Sequence, residues 1–132
     1  MLRKKVLIVD DDPNLIRSLE FVFKQEGYEF DTATNGEEAI QKVREGKPSV
    51  LLLDIMMPKK NGFDVCQEVK SAPDLRDTHV VILSAKSQVM DKEKGYSAGA
   101  DEYITKPFSP KSIVSRVKEL LGDSDQASIP SQ

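Results

Sequence analysis

The chain contains 132 residues, of which 31% are charged and 39% hydrophobic, and its formal net charge is -3 at pH 7. This composition is typical of one globular domain, and the negative charge argues against general binding to the nucleic-acid backbone. No apolar run approaches the roughly 20 residues of a membrane span, and the run Val6–Val9 is too short for the core of a signal peptide. The single cysteine, Cys66, excludes an internal disulfide and a cysteine-based zinc site, so we expect a cytoplasmic chain that does not contact a membrane.

The first predicted elements are a buried strand and an amphipathic helix. Val6–Val9 is a continuous apolar run, typical of a strand buried on both faces of a parallel sheet, and it ends at Asp10. Asp12 is placed to cap a helix with Pro13 at its first position, where a missing N–H costs nothing. Apolar residues then recur at helical spacing until Gly27, which predicts the end of that helix.

A second strand and a second helix follow. Residues 28–34 alternate between polar and apolar more than the other strands do, which predicts an edge strand. Asn35 is the expected N-cap of the next helix, with Glu38 as its capping-box partner, and Gly46 predicts the end of the helix. The apolar run Val50–Leu53 predicts another fully buried strand.

The third and fourth helices flank a third apolar strand. Asn61–Gly62 is interpreted as part of a loop, and the apolar residues of 63–69 then predict a helix. Val80–Leu83 predicts the next buried strand. The helix predicted within 87–99 has the weakest pattern, because its apolar residues are sparse and Gly95 interrupts it.

The last predicted elements are the short strand Tyr103–Thr105 and a helix that Ser109 caps and Gly122 ends. Residues 123–132 are polar and are interpreted as a tail or linker, so residues 1–122 are predicted to form one domain. Five strands and five helices in strict alternation predict an α/β fold with a doubly wound parallel sheet, because right-handed crossovers place helices on both faces.

Polar residues follow the buried strands at the carboxyl edge of this predicted sheet, where ligands bind in folds of this kind. These residues are Asp10, Asp11, Asp12, Asp54, Ser84 and Lys106. Taken singly, each has a simpler interpretation, such as a helix cap for Asp12 or a solvated surface lysine. Coincidence explains the whole set poorly, because the strand residues beside them are apolar.

Asp10, Asp11 and Asp54 predict a cation site. Carboxylates crowded at one strand edge repel one another, and a bound cation removes that penalty. Oxygen ligands suit a hard ion such as Mg²⁺. The one histidine, His79, precedes an apolar strand and is interpreted as a surface residue at the strand end, so a transition-metal site is not expected.

The same residues favour phosphoryl transfer. A metal ion and Lys106 would neutralise phosphoryl oxygens, the Ser84 hydroxyl would donate to one of them, and one carboxylate would act as the nucleophile. Neither of the two common glycine-rich phosphate-loop motifs occurs, so nucleotide binding through such a loop is not expected.

Four motifs in this sequence resemble the receiver domain of two-component response regulators. They are Val6–Pro13, Leu52–Gly62, Leu83–Ala85 and Tyr103–Phe108, and Gly99–Asp101 resembles the family as well. The motifs follow the family's order and spacing over residues 4–121. The resemblance implies a flavodoxin-like sheet of five strands in the order 2-1-3-4-5.

The resemblance also implies a role for each site residue. Asp54 would accept a phosphoryl group from a histidine on a sensor histidine kinase or on a histidine phosphotransfer protein. Ser84 would bind the phosphoryl group once it has formed, and Lys106 would pair with it. The acidic pocket would hold Mg²⁺ through Asp10, Asp11, Asp54 and the backbone carbonyl of Met56.

A two-state output is a further implication of the resemblance. Tyr103 would be the switch aromatic, turning inward when Ser84 moves toward the phosphoryl group, and the peptide bond between Lys106 and Pro107 is expected to be cis. The face formed by the fourth helix, the fifth strand and the last helix would bind an output partner or a fused effector domain. Two phosphorylated copies could also pair through this face as a homodimer, and no direct binding of nucleic acid is expected of this segment.

The favoured function is therefore a phosphoacceptor switch that catalyses only its own phosphorylation and dephosphorylation. The alternative is a Mg²⁺-dependent phosphohydrolase with an aspartyl-phosphate intermediate. Such an enzyme would need a second carboxylate two residues after Asp54, where Met56 stands, and a cap over its substrate. A binding module that has lost the chemistry is a third hypothesis. Because Met56 carries no polar group to orient water, we expect slow self-dephosphorylation.

Overall fold

The computed structural model describes residues 4–55, 61–84, 89–106 and 108–122. Five strands form one parallel sheet in the order β2-β1-β3-β4-β5, which confirms the predicted α/β class and strand order. The strands are β1 (Lys5–Val9), β2 (Glu29–Ala33), β3 (Val50–Asp54), β4 (His79–Ser84) and β5 (Glu102–Thr105). The position of β2 confirms the edge strand that the alternating pattern predicted.

Five helices alternate with these strands. They are α1 (Pro13–Gln25), α2 (Gly36–Gly46), α3 (Gly62–Ser71), α4 (Val89–Ser97) and α5 (Pro110–Leu121). The three predicted N-caps are confirmed, because the side chains of Asp12, Asn35 and Ser109 each accept a hydrogen bond from a backbone N–H in the first turn. Among the described residues, every helix is too short or too polar to span a membrane.

Two local predictions need correction. The predicted loop ends at Asn61, which caps α3 by accepting from the N–H of Asp64, and Gly62 is already the first helical residue. Helix α4 continues through Gly95, which is buried, so this glycine does not interrupt it. Helix α2 ends at Gly46, as predicted, and the residue after it that takes the left-handed conformation is Lys47, with φ of 44°.

The capping box of α2 also differs in one bond. Asn35 Oδ1 accepts from the N–H of Glu38 at 2.9 Å, as predicted. The Glu38 carboxylate reaches one residue further back than in the usual box, accepting from the N–H of Thr34 at 2.9 Å and from its hydroxyl at 3.2 Å. The Thr34 backbone N–H is the main cause of a lowered pKa at Glu38.

Each face of the sheet is covered by its own apolar layer. One face packs against α2 and α3 through Leu7, Val9, Leu51, Leu53, Val43, Val65 and Val69. The opposite face packs against α1 and α5 through Val6, Ile8, Val50, Leu52, Leu19, Phe23, Ile113 and Val117. Burial on both faces explains why the central strands are continuous apolar runs, and it leaves the strand ends as the places where polar residues meet.

Several predictions fall on residues outside the described ranges. They concern Met56, whose carbonyl was predicted to bind the metal, and Pro107, whose peptide bond was predicted to be cis. The predicted boundary between the domain and residues 123–132 also stays a prediction. His79 is the first residue of β4, which confirms its predicted position, but its side chain is half-buried and not fully at the surface.

Candidate functional site

The register of the sheet brings the predicted site residues to one level at its carboxyl edge. Val9 pairs with Leu53, so Asp10 and Asp54 each follow at the next position of neighbouring strands. Ser84, the last residue of β4, pairs with Thr105, and Lys106 comes directly after it. The Lys106 backbone N–H donates to the Ser84 carbonyl oxygen at 2.6 Å, which fixes the chain at the end of β5.

The Lys106 ammonium links the two buried carboxylates. Lys106 Nζ lies 3.3 Å from Asp10 Oδ2 and 3.7 Å from Asp54 Oδ2. The Lys106 side chain keeps 28% of its surface exposed, whereas Asp10 is fully buried and Asp54 is 6% exposed. A buried carboxylate without a charge partner is costly, so this lysine offsets part of the charge at the edge.

Asp10, Asp11 and Asp54 form a group that fits a hard cation. One carboxylate oxygen from each lies within 4.8 Å of the others, with Asp10 and Asp54 buried and Asp11 exposed. Oxygen donors at this separation suit Mg²⁺, which usually keeps several waters and takes a few carboxylates. Three of the four predicted ligands are therefore together, and the exposed Asp11 leaves this side of the group open to solvent.

Asp12 orients the Asp10 carboxylate, although it is not one of the three grouped carboxylates. Its Oδ1 accepts from the N–H of Asn14 at 3.0 Å and of Leu15 at 3.4 Å, which confirms the helix cap predicted for this residue. Its own N–H donates to Asp10 Oδ1 at 3.0 Å. The start of α1 thus orients the Asp10 carboxylate, with one oxygen bonded to the backbone and the other facing Lys106.

Gly62 is a site-positioning residue that sequence reasoning missed. A Cβ at this position would lie 2.5 Å from Ile55 Cα and 2.8 Å from the Asp54 carbonyl oxygen, closer than real contacts allow. The Gly62 N–H donates to the Ile55 carbonyl at 3.2 Å. The first turn of α3 therefore rests against the backbone of the proposed phosphoacceptor, and only the Asn61–Gly62 pair in the sequence hinted at it.

Ser84 and Tyr103 are both buried. Ser84 is fully buried at the end of β4, and Tyr103 is 6% exposed on β5, level with Ile82 of β4. Tyr103 belongs to the apolar layer under α2 and α3, so its ring lies inward in this structure. The structure brings Ser84 to the acidic edge, while the switch roles of Ser84 and Tyr103 stay predictions.

Comparisons with known proteins give one family. A family model described as the response regulator receiver domain matches residues 6–118. The alkaline phosphatase synthesis transcriptional regulatory protein PhoP of Bacillus subtilis is 37% identical over 131 residues, which are 99% of this chain and 54% of that protein. The chain thus spans about half the length of the curated relatives it matches.

Solved structures agree with the sequence relatives. The receiver domain of the Francisella response regulator 1452 superposes with a TM-score of 0.83 at 30% identity, over 93% of this chain and all of that one. The response regulator DrrB of Thermotoga maritima, an OmpR/PhoB homolog, gives a TM-score of 0.83 at 32% identity, over 92% of this chain and 54% of that one. This chain belongs to the response regulator receiver domain family, whose members are the phosphoacceptor switches of two-component signalling.

Proposed function

We propose that Asp54 is the phosphoacceptor of this receiver domain and that Lys106 and Ser84 stabilise the phosphoryl group on it. A carboxylate oxygen of Asp54 forms a bond to phosphorus as the bond between phosphorus and a histidine nitrogen of the donor breaks. The electron pair of the broken bond stays on that nitrogen. The observation that carries the proposal is the Lys106 ammonium within 4 Å of both Asp10 and Asp54 at one strand edge.

The surrounding residues support each part of that role. The Lys106 ammonium lies beside the Asp54 carboxylate and would pair with the phosphoryl oxygens once they are attached to it. Ser84 is buried at the end of the strand next to Asp54, and its hydroxyl would donate to a phosphoryl oxygen. When bound at Asp10, Asp11 and Asp54, Mg²⁺ would neutralise phosphoryl oxygens and the repulsion among these carboxylates.

Partners follow from the same assignment. The donor is proposed to be a sensor histidine kinase or a histidine phosphotransfer protein in the cytoplasm. The output is proposed to pass through the face of α4, β5 and α5, to a separate partner, a fused effector domain or a second phosphorylated copy. DrrB, whose structure is nearly twice as long as the matched region, is consistent with a fused domain in relatives. The phosphohydrolase alternative is not favoured, because the family found is a signalling domain.

The test is the intact mass of the protein after incubation with acetyl phosphate, with and without Mg²⁺. We expect one phosphoryl adduct on the wild type that requires Mg²⁺ and is absent from Asp54→Asn. Asp64→Asn, which removes an exposed carboxylate in the first turn of α3, is the matched control and should keep the adduct. An adduct that persists in Asp54→Asn would contradict the assignment, and so would one lost equally in Asp64→Asn.

The lifetime of the adduct is a separate proposal. Met56 follows Asp54 by two residues and carries no polar group to orient a water molecule, so self-dephosphorylation is expected to be slow. Met56→Asn should shorten the lifetime of the adduct, measured by mass after removal of acetyl phosphate. An unchanged lifetime would contradict this explanation while leaving the phosphoacceptor assignment intact.

A further inference from the structure

Within residues 90–97, helix α4 buries very little of itself. Of residues 90–97, Gly95 alone is buried, and Met90 and Tyr96 are large side chains exposed by 69% and 49%. In contrast, α5 buries Ile113, Val114 and Val117. Because apolar burial provides most of the free energy that holds a helix on a sheet, the docking of α4 depends strongly on what lies beneath Gly95.

The Tyr103 ring lies beneath Gly95. A Cβ added at position 95 would lie 2.8 Å from Tyr103 Cδ2, 3.2 Å from Tyr103 Cε2 and 3.1 Å from Ile82 Cδ1. Contacts under 3.0 Å between a Cβ and a carbon are essentially never seen, so a methyl group and this ring position exclude each other. The position of the Tyr103 ring therefore explains why a glycine stands inside this helix, although glycine has a low helix propensity.

Gly95 is also tied to the chain that leads into β5. Its carbonyl oxygen accepts from the N–H of Ala98 and from the N–H of Ala100, both at 3.1 Å. The end of the helix is held from the other side, where Cys66 Sγ donates to the Ala98 carbonyl at 3.4 Å. A displacement of Gly95 would thus be transmitted to the connection between α4 and the strand that carries Tyr103.

We propose that Gly95 is a positioning residue that admits the Tyr103 ring to its inward place and couples the position of the ring to the docking of α4. A side chain at 95 would force either the ring outward or the helix away from the sheet. The steric part of this proposal rests on the short distances from a Cβ at position 95 to Tyr103 and Ile82. Its consequence for signalling rests on the proposed function, in which Tyr103 and α4 belong to the output face.

A double-mutant cycle tests the steric coupling without any phosphodonor. Gly95→Ala is measured in the wild type and in Tyr103→Val, which shortens the side chain and keeps a strand-forming residue. Alanine favours a helix interior over glycine by about fivefold in the folding equilibrium. We expect Gly95→Ala to lower the folding equilibrium constant in the wild type by severalfold and to raise it in Tyr103→Val. Equal effects in the two backgrounds would overturn the proposal.

The matched control lies on the same helix. Ser97→Ala changes an exposed residue of α4, two positions away, and should have the same small effect in both backgrounds. Coupling of Ser97→Ala to Tyr103→Val as large as that of Gly95→Ala would show that α4 responds to any change, which would also overturn the proposal.

The ring position needs a direct reading, because stability alone does not report it. In protein with isotope-labelled tyrosine, the Tyr103 ring resonances should shift in Gly95→Ala, whereas those of Tyr28, which packs on Phe23, should stay in place. Unshifted Tyr103 resonances together with an intact fold would contradict the proposal.

Acetyl phosphate with Mg²⁺ is then added: we expect the Tyr103 resonances of the wild type to change more than those of Gly95→Ala. If the phosphoryl adduct forms but Gly95 and Tyr103 show no coupling in the double-mutant cycle, the inference about Gly95 is overturned and the phosphoacceptor assignment is not. If the two residues are coupled but no adduct forms, the phosphoacceptor assignment is overturned and the steric inference stands.

Discussion

At the amino ends of β4 and β5, Lys70 of α3 and Asp101 form an ion pair, so that one positive charge meets one negative charge. Lys70 Nζ donates to the Asp101 carboxylate at 3.0 Å and to the carbonyl oxygens of Arg76 and Thr78 at 2.9 and 3.0 Å. The Asp101 carboxylate also accepts from the Val80 N–H at 2.8 Å. Each group therefore meets partners supplied by the chain itself.

At the carboxyl ends of the strands, the described site residues carry more negative charges than positive ones. Asp10, Asp11 and Asp54 bring three carboxylates together, and Lys106 is the cation that pairs with Asp10 and Asp54 among the described residues. We expect this excess of negative charge to cost stability in the free protein, and a bound cation and a phosphoryl group would offset it. One end of the sheet is therefore completed by contacts within the chain, whereas we propose that ligands complete the other.

The largest difference is expected between two lysine substitutions. Lys106→Met leaves buried carboxylates without this partner and should destabilise the protein by about 2–3 kcal/mol, discounted for partial exposure of the lysine. Lys70→Met should cost about 1–2 kcal/mol through lost hydrogen bonds. Urea unfolding with and without Mg²⁺ is the measurement. Mg²⁺ should stabilise Lys106→Met by more than it stabilises the wild type, and Lys70→Met by only as much as the wild type. Equal gains in the two variants would remove the contrast between the two ends.

Magnesium itself should stabilise only through the carboxyl end. At tenfold over its dissociation constant, Mg²⁺ should raise the free energy of unfolding of the wild type by about 1.4 kcal/mol. Asp11→Asn removes one carboxylate of the group and should abolish most of that gain, whereas Asp74→Asn, at an exposed pair with Lys47, should keep it. Thermal unfolding over a series of Mg²⁺ concentrations tests this. An Asp11→Asn variant that responds like the wild type would argue against the cation site.

The same substitution should have opposite signs at the two ends. Without Mg²⁺, Asp10→Asn relieves repulsion while keeping an oxygen for the Asp12 N–H, and it should stabilise the protein by about 1 kcal/mol. Asp101→Asn removes the charge that pairs with Lys70 and should destabilise it by about 1 kcal/mol. Equilibrium unfolding in a chelating buffer compares them. If both variants are destabilised, the carboxyl end carries no net repulsion in the free protein.

The last prediction concerns pH and Cys66, a residue near the Lys70–Asp101 pair. Burial raises the pKa of the Cys66 thiol from 9.0 to about 12. The neutral thiol is favoured in the folded state, so its contribution is complete below pH 9 and is lost as pH rises toward 12. Urea unfolding should therefore show the wild type losing stability relative to Cys66→Ala between pH 8 and pH 10. Parallel pH profiles for the two proteins would contradict this.

Local patterns predicted most of the fold. Continuous apolar runs identified the strands that are buried on both faces, and Asp12, Asn35 and Ser109 marked three helix starts, because capping depends on residues only three positions away. The carboxyl-edge cluster was also predictable, since parallel strands end at the same side of a sheet. The interruption predicted at Gly95 was wrong, because α4 continues through this residue, where the Tyr103 ring leaves no room for a Cβ.

Periodicity and spacing along the chain predicted the α/β alternation and the polar residues that gather at the strand ends, and four motifs carried the resemblance to the family. The tertiary structure was needed to show that Asp10 is buried while Asp11 is exposed. It also decided that Lys70 meets Asp101 across 31 positions and that Gly62 rests on the backbone of Asp54. Lys70 and Asp101 are far apart in sequence, and all three features depend on how the helices pack on the sheet, which no local pattern encodes.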